Sequence, residues 1–290
     1  MQKSRLAQRK LGVKPNSISK KKPPRNYLTV TFLFLLTSAV LLFLCYLFLP
    51  KTWDGKSKLS IVSQLTSGDV QVETLDPVNG NIFMLTIPAD VLVDAANQLG
   101  TWKLGSITKL GVDKKLSSNF LKNTVIKSFN FPVEDTTDLT LLDKIRIKLF
   151  TMGVGSSDVS SLNLKDTNYL TRAKLVDGSL GWKIGNSMPT SIESYFNENF
   201  SSDNLAVIVN NATGESGEGN MVAAVVGVLG GNVASVQNLE PKDYNCVVTG
   251  NNKDFVSKVA KLFSCKVVLA APSNNFDVEI ELGSLFKDRF

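Results

Sequence analysis

The chain contains no histidine in 290 residues. That absence removes the commonest general base and the commonest zinc ligand together. A Ser-His-Asp hydrolase site is excluded with it, and no Ser-x-x-Lys stands in a convincing alternative site. Cysteine is nearly as scarce, at three residues. Cys45 lies in an apolar run, so only Cys246 and Cys265 remain beyond it, too few for a four-cysteine metal site but enough for one disulfide. Arginine is sparse after residue 50, where only Arg146, Arg172 and Arg289 occur. The first 26 residues contain no Asp or Glu.

Those 26 residues do hold nine Lys or Arg: Lys3, Arg5, Arg9, Lys10, Lys14, Lys20, Lys21, Lys22 and Arg25. The whole chain is +6, so the part after this tail is net negative by three charges. The basic balance therefore describes the tail and is no argument for a nucleic-acid partner. Pro15, Pro23 and Pro24 among polar residues fit a disordered tether over residues 1–26.

Tyr27 to Leu49 is a run of 23 residues without charge. As a helix it would measure roughly 34 Å, enough for a hydrocarbon core of about 30 Å. The expectation is a single transmembrane helix over 27–49, with the basic tail cytoplasmic and residues 51–290 outside. A cleaved signal peptide fits less well, because Leu47-Phe48-Leu49-Pro50 puts bulky residues where a peptidase needs small ones. Thr29, Thr31, Thr37 and Ser38 can bond back to the helix backbone and need no pore to explain them.

The 240 residues beyond the run exceed one typical domain. The polar stretch Asn197–Asn204 suggests a seam near residue 202, giving domains over 58–200 and 203–286. In the first, Val70, Val72 and Thr74 alternate along a half-buried strand. Asp76-Pro77-Val78-Asn79-Gly80 supplies a turn, and Ile82–Ile87 follows as a central strand. Leu116, Phe120, Leu121, Val125 and Phe129 recur at helical spacing, with Lys114, Lys115, Lys122 and Lys127 off the stripe. Leu141, Leu142, Ile145 and Leu149 repeat the pattern after a cap at Asp138, and both stripes read as core faces. Glu134, Asp135 and Asp138 lack a calcium-loop pattern and read as a solvated acidic turn. Thr171–Ile184 reads as a hairpin around Asp177-Gly178.

The second domain reads strand (Leu205–Val209), helix (to Leu229), strands (Val233–Gln237, Asn245–Thr249), helix (from Asn252), then strands at Lys266–Ala270 and Asp277–Leu282. This is α+β, a βαββαβ split-βαβ sandwich with an added strand and both helices on one face. The glycine-rich loop Gly214–Gly219 opens the first helix without a Walker or dinucleotide pattern. Glu215 and Glu218 would repel an anion there, so a strand-to-helix turn is the better reading. If this domain binds a ligand, Asn211, Thr213, Gly214 and Gly217 are the candidates. A Cys246–Cys265 bond would suit an oxidising compartment, and two buried thiols are the alternative. The sequons at Asn199 and Asn211 matter only in a glycosylating host.

Val207-Ile208-Val209, Asn211-Ala212-Thr213, Gly217, Gly231 and the terminal Asp277–Gly283 resemble the C-terminal domain of LytR-type proteins. Glu218-Gly219 departs from the Leu-Ala pair that usually opens that helix. Val72–Pro77 leading to Met84-Leu85-Thr86-Ile87-Pro88-Ala89-Asp90 is similar, more distantly, to the LytR-CpsA-Psr domain. That resemblance implies transfer of lipid-pyrophosphate-linked glycopolymers to peptidoglycan, with arginines clamping the pyrophosphate and a carboxylate assisting a metal ion such as magnesium. Here Ala89 stands at the expected arginine, while Asp90 keeps its place. Bidentate pyrophosphate binding needs such forks, and Lys103 and Lys109 are only partial substitutes. The expectation is a degenerate, non-catalytic envelope protein that binds a wall glycopolymer, a lipid-linked glycan or an envelope protein. An active phosphotransferase using Asp90 is the alternative.

Overall fold

The computed structural model describes residues 27–48, 53–174, 178–185, 187–198, 204–272 and 275–290. The expected seam near residue 202 and the sequon at Asn199 lie outside the described residues. The chain divides into two compact units, residues 1–50 and 51–290.

The first unit contains helix α1, Tyr27–Phe48. Thr31 donates to the Tyr27 carbonyl at 2.8 Å and Thr37 to that of Phe34 at 3.0 Å. The expected transmembrane span is corrected, because no helix among the described residues is long and apolar enough to cross a membrane.

The second unit contains three sheets. Its first half supplies strands β1 (Leu59–Gln64), β2 (Val70–Asp76), β3 (Asn81–Ile87), β4 (Val91–Ala95), β5 (Gly100–Lys103) and β6 (Glu134–Asp135). Helices α2 (Ile107–Asp113), α3 (Phe120–Phe129) and α4 (Leu141–Gly153) accompany them, followed by β7 (Val159–Asn163), β8 (Leu170–Lys174), β9 (Leu180–Ile184) and α5 (Thr190–Phe196). One sheet runs β6-β1-β2-β3-β7, and a second runs β5-β4-β9-β8. The β2–β3 hairpin forms as read, antiparallel with Val72 opposite Leu85. Asp76 shapes its turn by accepting from Val78 N and Asn79 N, both at 3.1 Å. The 170–184 hairpin also forms, although residues 175–177 at its tip are not described.

Three local expectations change. Helix α4 is capped by Thr140, which exchanges hydrogen bonds with Asp143 in a capping box. Asp138 instead pairs with Lys122 at 2.9 Å, which carries Lys122 into the interior at 2% exposure despite its place off the α3 stripe. The acidic turn is not solvated, since Glu134 and Asp135 are both buried. The α4 stripe is not a core face: Leu141, Ile145 and Leu149 are exposed, because the opposite side of α4 packs inward through Ile147 and Phe150.

The second half carries β10 (Ala206–Asn211), α6 (Glu218–Val228), β11 (Asn232–Asn238), β12 (Cys246–Gly250), α7 (Lys253–Phe263), β13 (Lys266–Val268) and β14 (Val278–Leu282). Gly230, at φ +95°, follows the end of α6, where glycine takes the left-handed backbone that ends a helix. Asn252 caps α7 by accepting from Phe255 N at 3.0 Å. The third sheet runs β11-β10-β14-β12-β13. The split-βαβ topology is corrected: β10 pairs directly and in parallel with β11, and β12 with β13. The inserted strand, β14, lies between the two βαβ units rather than inside either.

A main apolar cluster runs from Val72, Leu85 and Phe129 to Val209, Val225 and Phe263. A smaller one joins Trp53, Leu59, Leu75 and Ile82 to α4. A disulfide links Cys246 to Cys265.

Candidate functional site

Asp90 sits in the turn between β3 and β4, at a point where three loops are stitched together. Ala89 N donates to the Asp69 carboxylate at 2.9 Å, and Gly105 N donates to the Ala89 carbonyl at 2.9 Å. Gln64 bridges the same loops, donating to the Gly105 carbonyl at 2.7 Å and that of Gly68 at 3.1 Å. The Asp90 carbonyl accepts from Trp182 N at 3.2 Å. Ala89 fills a notch so tight that a Cβ on Gly105 would lie 2.7 Å from its methyl. Asp90 lines neither of the two clefts described below.

All three arginines beyond residue 50 are engaged with protein groups, Arg172 with Trp182, whose backbone bonds the Asp90 carbonyl. Arg146 donates to the Trp53 carbonyl at 2.8 Å and lies 3.9 Å from Asp143. Arg172 stacks 4.0 Å over the ring of Trp182. Arg289 donates to the Phe263 carbonyl at 2.8 Å and to Asn245, and burial pulls its pKa down. Lys103 reaches Ser179 at 3.3 Å. Among the described residues no group of three or more His, Cys, Asp or Glu could hold a metal ion.

The candidates on the 211–217 loop also gather, but toward one another. The Asn211 side-chain oxygen accepts from the Thr213 hydroxyl at 2.6 Å, and its amide donates to the Glu215 carbonyl at 2.8 Å. Thr213 Oγ1 accepts in turn from Glu215 N at 3.0 Å. Asn211 and Thr213 are buried, while Gly214 and Gly217 take positive φ at +82° and +97°. Glu218 opens α6 behind them; burial raises its pKa, and the charges of Asp94 and Glu215 raise it further against the opposing effect of Lys127. This polar knot turns a strand into a helix, and the cations nearest it, Lys287 and Lys127, are set against the Glu215 and Glu218 carboxylates.

A concavity lies along α7. It is a cleft of about 590 Å³ with Lys253, Ser257, Lys258 and Lys261 on one wall. The chain from Trp53 to Leu59, the Asp76–Asn79 turn, Glu134 and Glu198 form the other. A second cleft, about 490 Å³, shares Ser257 and Lys261 with it and reaches Cys265. Ion pairs cross the floor: Lys58 to Asp76 at 3.3 Å, Lys258 to Glu198 at 2.6 Å, and Lys261 to Glu134 at 2.8 Å. Lys258 also donates to the Lys58 carbonyl at 2.9 Å. Burial pushes the Asp76 carboxyl up, but hydrogen bonds from Asn79 and the Lys58 charge outweigh it and hold the group below its ordinary range. Asp54 ends below its ordinary range in the same way, through bonds from Ser57 and Lys56 N–H. Lys56 and Lys253 line the cleft without an ion pair among the described residues. The walls thus offer hydroxyls, an amide, two lysines and the carboxylates of Asp54 and Asp254 over a charge-paired floor, a surface suited to a polar polymer.

The sequence signalled this cleft only through Lys253, Lys258 and Lys261 on the outer face of α7. Nothing local marked Glu134, Glu198 or Lys58 as their neighbours, because each lies far away in the chain.

No family model matches the sequence, and no curated protein matches it. Three solved structures show low likeness. The transcriptional regulator yvhJ of Bacillus subtilis has 13% identity and a TM-score of 0.33, over 48% of this chain and 94% of that one. Bacillus subtilis TagT has 10% identity and a TM-score of 0.24, over 80% of this chain and 88% of that one. The LytR-CPS2A-psr family protein YwtF (TagT), with bound octaprenyl pyrophosphate lipid, has 11% identity and a TM-score of 0.23, over 74% of this chain and 93% of that one. Likeness of this size leaves function to be read from the chain's own side chains.

Proposed function

We propose that residues 51–290 work outside the cytoplasm as a non-catalytic module that binds a cell-wall glycopolymer along the α7 cleft. The observation that carries this reading is the engagement of Arg146, Arg172 and Arg289 with protein groups, none of which is the Asp90 carboxylate. A pyrophosphate-transfer site needs fixed cationic forks where charge develops. The disulfide supports an oxidising compartment. The sequence resemblance to LytR-type proteins supplies the polymer class, and the hydroxyls, carboxylates and lysines of the cleft suit hydroxylated sugars.

The test is calorimetric titration of the purified protein with an anionic wall glycopolymer and, separately, with a polyprenyl pyrophosphate, each with and without magnesium. Binding of the polymer, weakened severalfold by Lys56→Ala and Lys253→Ala, is the expected result. Magnesium-dependent binding of polyprenyl pyrophosphate that disappears in Asp90→Ala would replace this reading with the phosphotransferase.

A further inference from the structure

Helix α4 carries an apolar ridge that nothing in the second unit covers. Leu141 is 75% exposed, Ile145 47%, Leu149 65% and Met152 73%. At about 100° per residue these four fall within an arc of about 80°, with Lys144 and Lys148 immediately beside it. Neither lysine has an ion pair among the described residues. The helix cannot roll to hide the ridge. Asp143 on its far side is fully buried, accepting from Trp53 N at 3.1 Å, and Phe150 meets the Trp53 ring edge-on at 6.4 Å.

We propose that α4 is an interfacial helix that seats its ridge in an anionic lipid surface. An apolar face edged by lysines is the pattern of helices that lie in the headgroup boundary, where the ammonium groups reach lipid phosphates while their stems stay in the apolar layer. Charge complementarity selects an anionic surface, since the exposed charges edging the ridge are positive. The size of the ridge separates this occupant from a second copy of the chain. At roughly 150 Å² for a fully exposed aliphatic side chain, the four together offer roughly 400 Å², about half the 800 Å² per partner of a stable protein interface. The inference is independent of the glycopolymer reading, because the ridge and the α7 cleft share no residue.

The test uses the full chain with Cys45→Ser, so that Leu149→Cys is the only free thiol and takes an environment-sensitive fluorophore. The exposure of Leu149 keeps folding out of question. The protein is mixed with phosphatidylglycerol vesicles or phosphatidylcholine vesicles, each containing spin-labelled lipid as quencher. A blue shift and at least about twofold quenching with phosphatidylglycerol is expected, with less for phosphatidylcholine and less again in Lys144→Glu/Lys148→Glu. A probe at Val112, which is 73% exposed elsewhere on the surface, should stay unquenched. Absence of quenching at residue 149 overturns the proposal, including shielding that appears only at higher protein concentration or on adding wall polymer. Equal quenching at Val112 overturns it too.

Discussion

Lys261→Met should be among the most damaging single changes in the α7 cleft, although the residue sits at its edge. Its partner Glu134 is 1% exposed, with Lys261 Nζ 2.8 Å from one carboxylate oxygen. Neither oxygen of Glu134 accepts a hydrogen bond in good geometry, so the lysine compensates the buried carboxylate chiefly as charge. Removing one member of a buried pair costs about 3–5 kcal/mol, because the other charge stays buried alone. Lys261 retains 26% exposure, so water reaches its side and the lower figure applies, about 3 kcal/mol. An unfolding entropy of about 2.1 cal/mol/K per residue gives a unit of this length about 0.5 kcal/mol/K, which turns that loss into a Tm drop of about 6 °C. Thermal and urea melts followed by circular dichroism would measure it. The double variant Glu134→Met/Lys261→Met should recover most of the loss, since an apolar pair of similar volume removes the stranded charge. A single-variant loss below about 1 kcal/mol, or a double variant no better than Lys261→Met, would refute the reasoning.

Reducing the Cys246–Cys265 bond, or replacing both residues by serine, should cost about 3 kcal/mol on the chain-entropy estimate for the 19-residue separation, seen as a lower melting midpoint with reductant. Burial raises the Glu73 carboxyl above its ordinary value of 4.5. Its ionisation therefore opposes folding as pH rises past the unfolded value. Glu73→Gln should stabilise the protein at pH 7, with the gain vanishing as the pH falls below the ordinary glutamate range; a gain that persists under acid would contradict the assignment. Gly105→Ala forces a methyl to within 2.7 Å of the Ala89 methyl and 3.1 Å of the Gly68 carbonyl oxygen. A loss of about 1–3 kcal/mol is expected in a urea melt, partly restored by adding Ala89→Gly.

Elements held by local chemistry were legible in the sequence. Period-two alternation marked Val70, Val72 and Thr74, and turn residues marked the Asp76–Gly80 corner that closes β2 on β3. Asn252 and the inward Phe255, Val256, Val259 and Leu262 announced α7, which buries all four. What periodicity cannot say is which neighbour a face will meet. Helix α4 is apolar on two sides: Ile147 and Phe150 reach the core while Leu141, Ile145 and Leu149 face outward, and the sequence pattern is the same either way. Likewise Lys122 read as a solvent-facing lysine, and only the approach of Asp138, 16 residues on, draws it inside. Strand order within a sheet is a long-range property too. The βαβ units were readable one by one, but the place of β14 between them was not.

The candidate sites divide by the same physics. Cys246 and Cys265 could be proposed because compartment and count narrowed the choices to one pair. The α7 cleft could not, since it depends on Lys58, Glu134, Glu198 and Lys258 meeting across stretches of up to 200 residues. At Asp90 the sequence showed a missing arginine, and the structure adds the reason that a simple vacancy is the wrong picture. Ala89 fits a notch shaped by Gly68 and Gly105, and Gln64 and Asp69 bind the surrounding backbone. A position from which an arginine had merely been lost would leave space and unpaired polar groups behind it. Here small residues and backbone hydrogen bonds support one another, so the turn is built for rigidity.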